Sequence, residues 1–282
     1  MKLVSFKHGG RATYGVVQGD RYLQPAADFL SRFPDLKAVL QGSALSELEQ
    51  AVKSGTPVDP ASAQSLPVIP NPGKFICVGL NYKTHVAETK RDDSKYPALF
   101  VRFADSLAAD GDTVLRPSFS ERFDWEGELA VVIGRGGRNI PQAEAFGHVA
   151  GYACFNDVSV RDWQRHTHQW TPGKNFPGTG PLGPWLVTAD EVPDVNALTL
   201  ETRLNGEVMQ RASVADLIFT IPVILEYVSR FTPLSPGDVI ATGTPGGVGD
   251  RRDPPLYMKE GDAVEVEITG LGVLRNRIGT AA

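Results

Sequence analysis

The chain has 282 residues, of which 41% are hydrophobic and 22% are charged, a balance typical of soluble globular proteins. Its 28 basic and 33 acidic residues give a net charge of -5 without a basic block, which argues against a nucleic-acid partner. No apolar run approaches the roughly 18 residues of a membrane span, and residues 1–6 lack the apolar core of a signal peptide. The two cysteines suit a reducing compartment. We therefore expect a cytoplasmic protein with no membrane partner.

The first quarter of the chain is predicted to form a small α/β domain. Short strand patterns cover 3–6, 15–18 and 21–23, and helical patterns cover 28–40 and 45–53. The following segment, 67–73, contains three prolines and is too rich in them for a helix or a central strand. We place the domain boundary there, which gives a small N-terminal domain at 1–68 and a larger domain at 69–282.

The larger domain is predicted to be mainly β. It opens with a buried-strand pattern at 74–79, and the 29 glycines and 21 prolines of the chain indicate frequent turns. The clearest helix covers 221–230, with Thr220 as its cap and Pro222 in its first turn, and its apolar positions are typical of core packing. A second helix is predicted to start near Asp157 and to cover 160–164.

Two carboxylates, Glu126 and Glu128, stand two residues apart at the start of an apolar strand pattern. Side chains alternate faces along a strand, so both should project to the same side. Like charges this close repel unless a cation lies between them, and hard divalent cations prefer carboxylate oxygens. The alternative interpretation is a solvated edge strand that carries two acids.

A histidine and a glutamate lie one helical turn apart after the buried strand at 74–79. If this segment is helical, His85 and Glu88 share one face, where the carboxylate would fix the imidazole tautomer for a general base. The alternative is an exposed helix turn with a solvated pair. The polar residues at 89–94 are predicted to form a mobile loop that could serve as an active-site lid.

Two further clusters offer polar groups for chemistry. Asp157 follows an apolar strand, and Arg161 and Gln164 could share the helix face that points towards it. Its simplest role would be a helix N-cap. Lys174 stands in a loop rich in glycine and proline, where it could bind a substrate oxyanion or carboxylate, or pair with a neighbouring acid.

Two other signals are weak. His166 and His168 have the spacing of one strand face but lack further ligands for zinc. The glycine-rich segment 243–249 lacks the ending of a phosphate-binding loop. We interpret that segment as a tight bend whose backbone approaches a small ligand.

The joint order of these motifs resembles the fumarylacetoacetate hydrolase family over about residues 70–278. Within this family, the chain most resembles the bacterial branch that contains acylpyruvate hydrolases and proteins like 2-hydroxyhepta-2,4-diene-1,7-dioate isomerase. The shared motifs are Gly79-Leu80-Asn81-Tyr82 with His85 and Glu88, Asp124-Trp125-Glu126-Gly127-Glu128-Leu129, Asn156-Asp157 with Arg161-Asp162 and Gln164, Trp170-Thr171-Pro172-Gly173-Lys174, Leu182-Gly183-Pro184-Trp185, and Gly237-Asp238 with Thr242-Gly243-Thr244-Pro245.

The resemblance implies an α+β, mainly β fold, a mixed β-sandwich roll, and a homodimer. It also implies a Mg²⁺ or Mn²⁺ ion held by Glu126, Glu128 and Asp157, with coordination positions left for water and substrate. The substrates would be 2-oxo or 2,4-dioxo acids, whose enolate such an ion stabilises.

The same resemblance implies roles for the remaining polar residues, which belong to catalysis and to substrate binding. His85 with Glu88 would deprotonate the attacking water, and Lys174 would hold the substrate carbonyl with help from Arg161 and Gln164. Thr244 would contact the substrate carboxylate.

The reaction expected first is hydrolysis of a C–C bond in an acylpyruvate or fumarylpyruvate type of acid. Decarboxylation of oxaloacetate and isomerisation of a hydroxymuconate-type diacid pass through the same enolate and remain alternatives. A non-catalytic small-molecule binding module would need neither metal nor base.

Two positions depart from the family pattern. Val78 stands where the fumarylacetoacetases carry a fourth aspartate ligand, so a site of three carboxylates is expected. Arg102 stands where many relatives have lysine. Because arginine is a planar, bidentate donor, we expect Arg102 to bind the substrate and to alter the preferred anion.

Overall fold

Nineteen strands and seven α-helices occur in residues 1–89 and 95–281, the part of the chain that the computed structural model describes. The strands are β1 (Lys2–His8), β2 (Arg11–Gln18), β3 (Arg21–Gln24), β4 (Thr56–Val58), β5 (Gln64–Ser65), β6 (Phe75–Gly79), β7 (Ala98–Val101), β8 (Leu107–Ala108), β9 (Thr113–Arg116), β10 (Phe123–Asp124), β11 (Gly127–Ile133), β12 (Val149–Asn156), β13 (Ser159–Val160), β14 (Gly180–Thr188), β15 (Thr199–Leu204), β16 (Glu207–Ser213), β17 (Val239–Ala241), β18 (Ala263–Ile268) and β19 (Gly272–Thr280). The α-helices are α1 (Ala27–Arg32), α2 (Leu36–Gln41), α3 (Leu45–Ala51), α4 (Lys83–Thr89), α5 (Arg161–Gln164), α6 (Thr171–Lys174) and α7 (Ile221–Phe231). Short 3-10 helices lie at Val52–Ser54, Pro60–Ser62, Ala104–Ser106, Gln142–His148, Ala189–Glu191, Val195–Ala197, Val214–Asp216 and Gly249–Arg251.

A twelve-stranded mixed sheet forms the framework of the molecule. Its order is β4-β3-β2-β1-β14-β12-β11-β17-β6-β7, with β5 added to β1 and β8 added to β14. A five-stranded sheet has the order β16-β15-β18-β19-β9, and β10 pairs with β13. The expected fold class, α+β and mainly β with mixed sheets, is confirmed.

The N-terminal strands continue the large sheet. β1 pairs with β14 through the Lys2–Val187 and Leu3–Leu186 partners. The proline-rich segment after β5 is irregular, and Val68 within it is fully buried, with its N–H donating to Leu182 O. The boundary between the two parts, at residues 68 and 69, stays a prediction.

The helix predicted over 28–40 is two helices, α1 and α2. Proline disfavours helical backbone in the residue before it, and Phe33, which precedes Pro34, is extended with φ of -128° and ψ of 90°. Asp35 then caps α2, because its side chain accepts a hydrogen bond from the N–H of Ala38 at 2.7 Å. The two signals together end one helix and begin the next.

Strand β11 lies inside the large sheet, between β12 and β17, and is buried along its whole length. On one face, Leu129 and Val131 pack in a core shared with Leu200 of β15 and Val266 of β18. On the other face, Ala130 and its strand neighbours pack with the N-terminal helices. A strand covered on both faces needs an almost continuous apolar sequence, which β11 has.

The helix predicted at 221–230 is confirmed as α7. Ile224, Leu225 and Val228 are fully buried in the core, and each such side chain contributes about 1.5–3 kcal/mol of apolar burial. Thr220 occupies the cap position, but its side chain makes no capping hydrogen bond. Among the described residues, no helix combines the length and the apolar character that crossing a membrane requires.

Candidate active site

Three carboxylates meet where β11 begins and β12 ends. Glu126, Glu128 and Asp157 each offer an oxygen within 4.8 Å of the others, and their exposed fractions are 5%, 1% and 0%. The antiparallel partners Gly127 and Asn156 bring the two strand ends side by side. Because β11 is an interior strand, the edge-strand interpretation is wrong. The arrangement is a buried acidic cluster that could hold a metal ion.

Buried cations offset this cluster, and two of them contact Glu126. Lys174, the last residue of α6, places its Nζ 2.7 Å from Glu126 Oε2 and 2.5 Å from Asp157 Oδ2. Arg161 Nη1 lies 2.6 Å from Glu126 Oε1. Lys174 is 1% exposed and pairs with two acids of the protein. This pairing is one of the two interpretations that the sequence allowed.

The surroundings push the pKa values of the two glutamates apart. Burial raises the pKa of Glu126, but the Lys174 ammonium and the Arg161 guanidinium outweigh it and hold that pKa well below its usual range. Burial, with the negative charges of Asp157 and Glu126, raises the pKa of Glu128 well above its usual range. The cluster therefore has an unmet need for positive charge beside Glu128. Three buried carboxylates with that need fit a hard divalent cation such as Mg²⁺ or Mn²⁺.

Asp157 does not cap a helix. Strand β13 separates it from α5, whose cap position is Val160. Its carboxylate instead binds Lys174 on one oxygen, while Arg102 Nε lies 2.5 Å from the other. Asp157 therefore pairs with two cations, Lys174 and Arg102, instead of capping a helix.

Arg102 lies behind Asp157 and not in the substrate cleft, which corrects its predicted place. Its guanidinium also donates to Val158 O at 2.6 Å and to Thr179 Oγ1 at 3.2 Å, and its side chain is fully buried. The planar guanidinium of Arg102, which suggested that it binds a substrate anion, instead holds the Asp157 carboxylate.

His85 and Glu88 form a hydrogen-bonded pair on α4. His85 Nδ1 lies 2.6 Å from Glu88 Oε1, and His85 is 8% exposed. Glu88 Oε2 accepts the N–H of Gly247 at 2.9 Å, and Thr84 Oγ1 accepts the N–H of Gly246 at 3.1 Å. The pair is therefore fixed to the glycine-rich segment and is not a freely solvated helix turn. Most of the lid predicted at 89–94 falls at 90–94, outside the described residues.

The glycine-rich segment reaches the carboxylates through its backbone. The N–H of Gly243 donates to Glu128 Oε2 at 2.9 Å, and Gly243 has a φ of +107°, a conformation that favours glycine. Thr244 Oγ1 donates to Gly127 O at 2.9 Å and accepts Gln210 Nε2 at 2.8 Å. The Thr244 hydroxyl thus already makes two hydrogen bonds within the protein. Its contact with a substrate carboxylate stays a prediction.

Sequence reasoning missed two organising residues. Asp124 accepts Arg161 Nε at 2.8 Å and the N–H groups of Gly249 and Asp250 at 2.8 and 2.9 Å, so it positions both the inner arginine and the glycine-rich segment. Gln210 of β16 binds the other end of that segment through Thr244. Asp124 stands within one of the family motifs and could have been singled out, whereas nothing in the sequence distinguishes Gln210 from other strand glutamines.

These groups face a cleft that opens to solvent. Seven of the predicted site residues line it, and the others lie behind or beside them. The lining residues are Val78, Gly79, Leu80, His85, Phe100, Glu126, Glu128, Arg161, Gln164, Arg165, Trp170, Lys174, Thr244, Val248, Asp250 and Arg251.

Comparison with known proteins identifies the family. The sequence model described as fumarylacetoacetate (FAA) hydrolase C-terminal matches residues 74–279, most of the chain. The chain belongs to the fumarylacetoacetate hydrolase family. It is similar to the mitochondrial oxaloacetate tautomerase FAHD2A of Homo sapiens, with 44% identity over 242 residues that cover 84% of this chain and 77% of the relative.

Two solved structures of this family have the same fold along their whole length. The 5-carboxymethyl-2-hydroxymuconate delta-isomerase of Mycobacterium smegmatis is 30% identical, with a TM-score of 0.79 and full coverage of both chains. The maleylpyruvate hydrolase of Sphingobium sp. SYK-6, in complex with manganese(II) ion and pyruvate, is 25% identical, with a TM-score of 0.83 and full coverage of both chains. The family thus includes enzymes of several types. The similarities favour the alternatives, a reaction of oxaloacetate and isomerisation of a hydroxymuconate-type diacid, over the hydrolysis expected first. The reaction of oxaloacetate expected from the sequence was decarboxylation, whereas the relative is a tautomerase.

Proposed function

We propose that this chain is a divalent-metal-dependent tautomerase of a 2-oxo acid of the oxaloacetate type. The observation that carries the proposal is that His85, hydrogen-bonded to Glu88, lines the same cleft as Glu126 and Glu128, two of the three clustered carboxylates. A proton-transferring group beside a cation site is what keto–enol conversion requires.

Glu126, Glu128 and Asp157 would hold the ion. Mg²⁺ or Mn²⁺, when bound, would act as a Lewis acid on the substrate's oxygen atoms. The chain's own residues then have to move the proton and hold the substrate.

His85 is the proposed proton carrier. Its Nδ1 binds the Glu88 carboxylate, so Nδ1 carries the ring proton in the neutral imidazole and Nε2 is left to exchange a proton with the substrate. Glu88 fixes this tautomer and stabilises the imidazolium that forms. The backbone N–H of Gly247 keeps Glu88 in place.

Three residues offer donors to a substrate oxygen. Lys174 uses two of its three N–H groups on Glu126 and Asp157, which leaves one. Arg161 Nη2 forms an ion pair with Asp124 Oδ2 at 2.8 Å, and among the described residues no hydrogen-bond partner is aligned with it, so its second N–H can face a substrate. The Gln164 amide accepts from Arg161 through its oxygen, so its NH₂ group is available. These donors would stabilise negative charge that develops on the substrate.

Hydrolysis of an acylpyruvate is the second candidate. The same His85–Glu88 pair could deprotonate a water molecule, and the manganese-bound relative is a maleylpyruvate hydrolase. Tautomerisation is preferred because the relative that is 44% identical is an oxaloacetate tautomerase. Isomerisation begins with the same proton removal. Decarboxylation of oxaloacetate instead breaks the C3–C4 bond, releases CO₂ and leaves a pyruvate enolate that then takes up a proton. Both reactions remain outcomes that the test can reveal through their products.

Proton NMR in D₂O with Mg²⁺ separates these reactions. For a tautomerase, oxaloacetate exchanges its C3 protons for deuterium faster with protein than with Mg²⁺ alone, while acetylpyruvate stays uncleaved. Release of pyruvate and acetate from acetylpyruvate without accelerated exchange in oxaloacetate would favour the hydrolase. No accelerated reaction of any 2-oxo acid would contradict both.

Light scattering would test the homodimer, which we retain as part of the proposal.

A further inference from the structure

Two arginines stand at the mouth of the cleft, outside the set that sequence analysis selected. Arg165 follows α5 directly, and Arg251 ends the 3-10 helix Gly249–Arg251. Both line the same cleft as the carboxylates, and their side chains are 43% and 34% exposed. They can therefore meet a ligand that enters from solvent.

One carboxylate serves both arginines. Asp250 forms an ion pair with Arg165 Nη2, and Arg251 Nε lies 3.6 Å from the same oxygen, Oδ2. The other oxygen of Asp250 accepts the hydroxyl of Tyr257 at 2.9 Å. In the described part of the chain, Asp250 is the acid paired with either arginine, so the mouth carries one more positive than negative charge and several unused N–H donors.

Hydrogen bonds through Asp124 connect the mouth to the floor of the cleft. Asp124 Oδ2 accepts the N–H of Asp250 at 2.9 Å and Arg161 Nε at 2.8 Å. Arg161 in turn binds Glu126. One buried carboxylate thus sets the spacing between the inner charged cluster and the outer arginines, which is what recognition of a ligand with two charged ends needs.

We propose that Arg165 and Arg251 bind a second carboxylate, at the far end of a 2-oxo diacid whose 2-oxo acid end lies at Glu126, Glu128 and Lys174. The inference rests on the proposed function, whose substrate oxaloacetate is itself a diacid, and it assigns the residues that recognise the second carboxylate. Arginine forks hold carboxylates through paired, charge-assisted hydrogen bonds. The two arginines therefore select diacids over 2-oxo acids that end in a methyl group.

Matched acids test this selection directly on the wild-type protein loaded with Mg²⁺. The diacids are oxaloacetate, 2-oxoglutarate and 2-oxoadipate, and the methyl-ended counterparts are 2-oxobutanoate, 2-oxopentanoate and 2-oxohexanoate. Calorimetric titration is expected to show about tenfold or tighter binding of the diacid for at least one chain length. Equal binding within every pair overturns the inference while the proposed function stands. Absence of binding by all six acids overturns both.

Variants then locate the preference. In Arg165→Gln/Arg251→Gln the preference for the diacid should disappear, while affinity for the methyl-ended acid stays the same. Arg230→Gln is the matched control, because Arg230 is an exposed arginine paired with one acid, Glu226, on α7. A diacid preference that survives in the double variant would overturn the assignment to these arginines.

Discussion

Lys174 Nζ lies 2.5 Å from Asp157 Oδ2 and bridges to Glu126 Oε2 at 2.7 Å, so one buried ammonium holds two of the three carboxylates together. Glu126 precedes β11 and Asp157 follows β12, and the two carboxylates would repel each other more strongly without the lysine. The same lysine lines the cleft. It therefore links the stability of the site to its capacity to bind a substrate oxygen.

Replacing Lys174 by methionine should destabilise the metal-free protein. The change removes the shared cation, while Arg161 still pairs with Glu126 and Arg102 with Asp157. The loss in the free energy of unfolding should therefore lie at the lower end of the about 3–5 kcal/mol that breaking a buried ion pair costs. Mg²⁺ should restore part of it, since the ion supplies positive charge to the same carboxylates. Urea unfolding in EDTA and in Mg²⁺ measures both effects, with the exposed Lys83→Met as control. Unchanged stability in EDTA would refute this role.

Replacing Arg102 by lysine should weaken metal binding about 10-fold or more, the scale seen when a group that orients a ligand is lost. A lysine cannot reach Asp157, Val158 O and Thr179 with one planar fork. Calorimetric titration with Mn²⁺ measures the change, and Thr179→Val, which removes only the weakest of the three contacts, should have a smaller effect. If Arg102→Lys instead changed only the choice of substrate anion, the anion-binding role predicted from the sequence would be restored.

The raised pKa of Glu128 predicts how stability depends on pH. A carboxyl group whose pKa is raised on folding stabilises the protein fully below its ordinary value of 4.5, and that stabilisation is lost as pH rises through the raised value. In EDTA, the melting temperature should therefore fall as pH rises above 4.5 towards the raised pKa, and it should fall by less in Glu128→Gln. The lowered pKa of Glu126 changes the stability of the protein only at pH values below its ordinary value of 4.5. It therefore does not contribute to the fall expected above that pH.

Magnesium should reverse the slope, because the ion binds deprotonated Glu128 and competes with its proton. Thermal unfolding at a fixed Mg²⁺ concentration would show stabilisation by the ion that grows with pH. Stabilisation by Mg²⁺ that is independent of pH would show that Glu128 releases no proton on binding.

Replacing His85 by alanine should leave metal affinity unchanged and slow proton exchange in oxaloacetate by about 10²-fold or more. Glu88→Gln should slow it less, since the imidazole remains but loses its fixed tautomer. NMR exchange in D₂O measures both, and Lys83→Ala, on the same helix, is the control. Unchanged exchange in His85→Ala would remove the histidine from the reaction.

The sequence predicts the elements that depend on local pattern. Apolar spacing predicts α7, and the order of the motifs predicts the three carboxylates and the histidine–glutamate pair. The position of β11 inside the sheet was not predictable, because a buried strand that begins beside two acids can also be interpreted as a solvated edge.

Contacts between distant segments account for what the sequence did not show. Arg102 is an anion-binding residue by type, and only the fold shows that its anion is Asp157. Asp124 is one more acid in a strand pattern until the fold places Arg161 and Asp250 around it. Strand pairing between residues far apart in the chain decides such contacts, and local pattern does not encode it.

The central claim is that Glu126, Glu128 and Asp157 hold a divalent cation, and calorimetric titration of Mn²⁺ into the wild-type chain, Glu126→Gln and the exposed control Glu207→Gln tests it most directly. The structure predicts one ion per chain in the wild type and in Glu207→Gln, and a loss of affinity of about 10²-fold in Glu126→Gln, since a charged ligand becomes neutral. Full affinity in Glu126→Gln would contradict the claim.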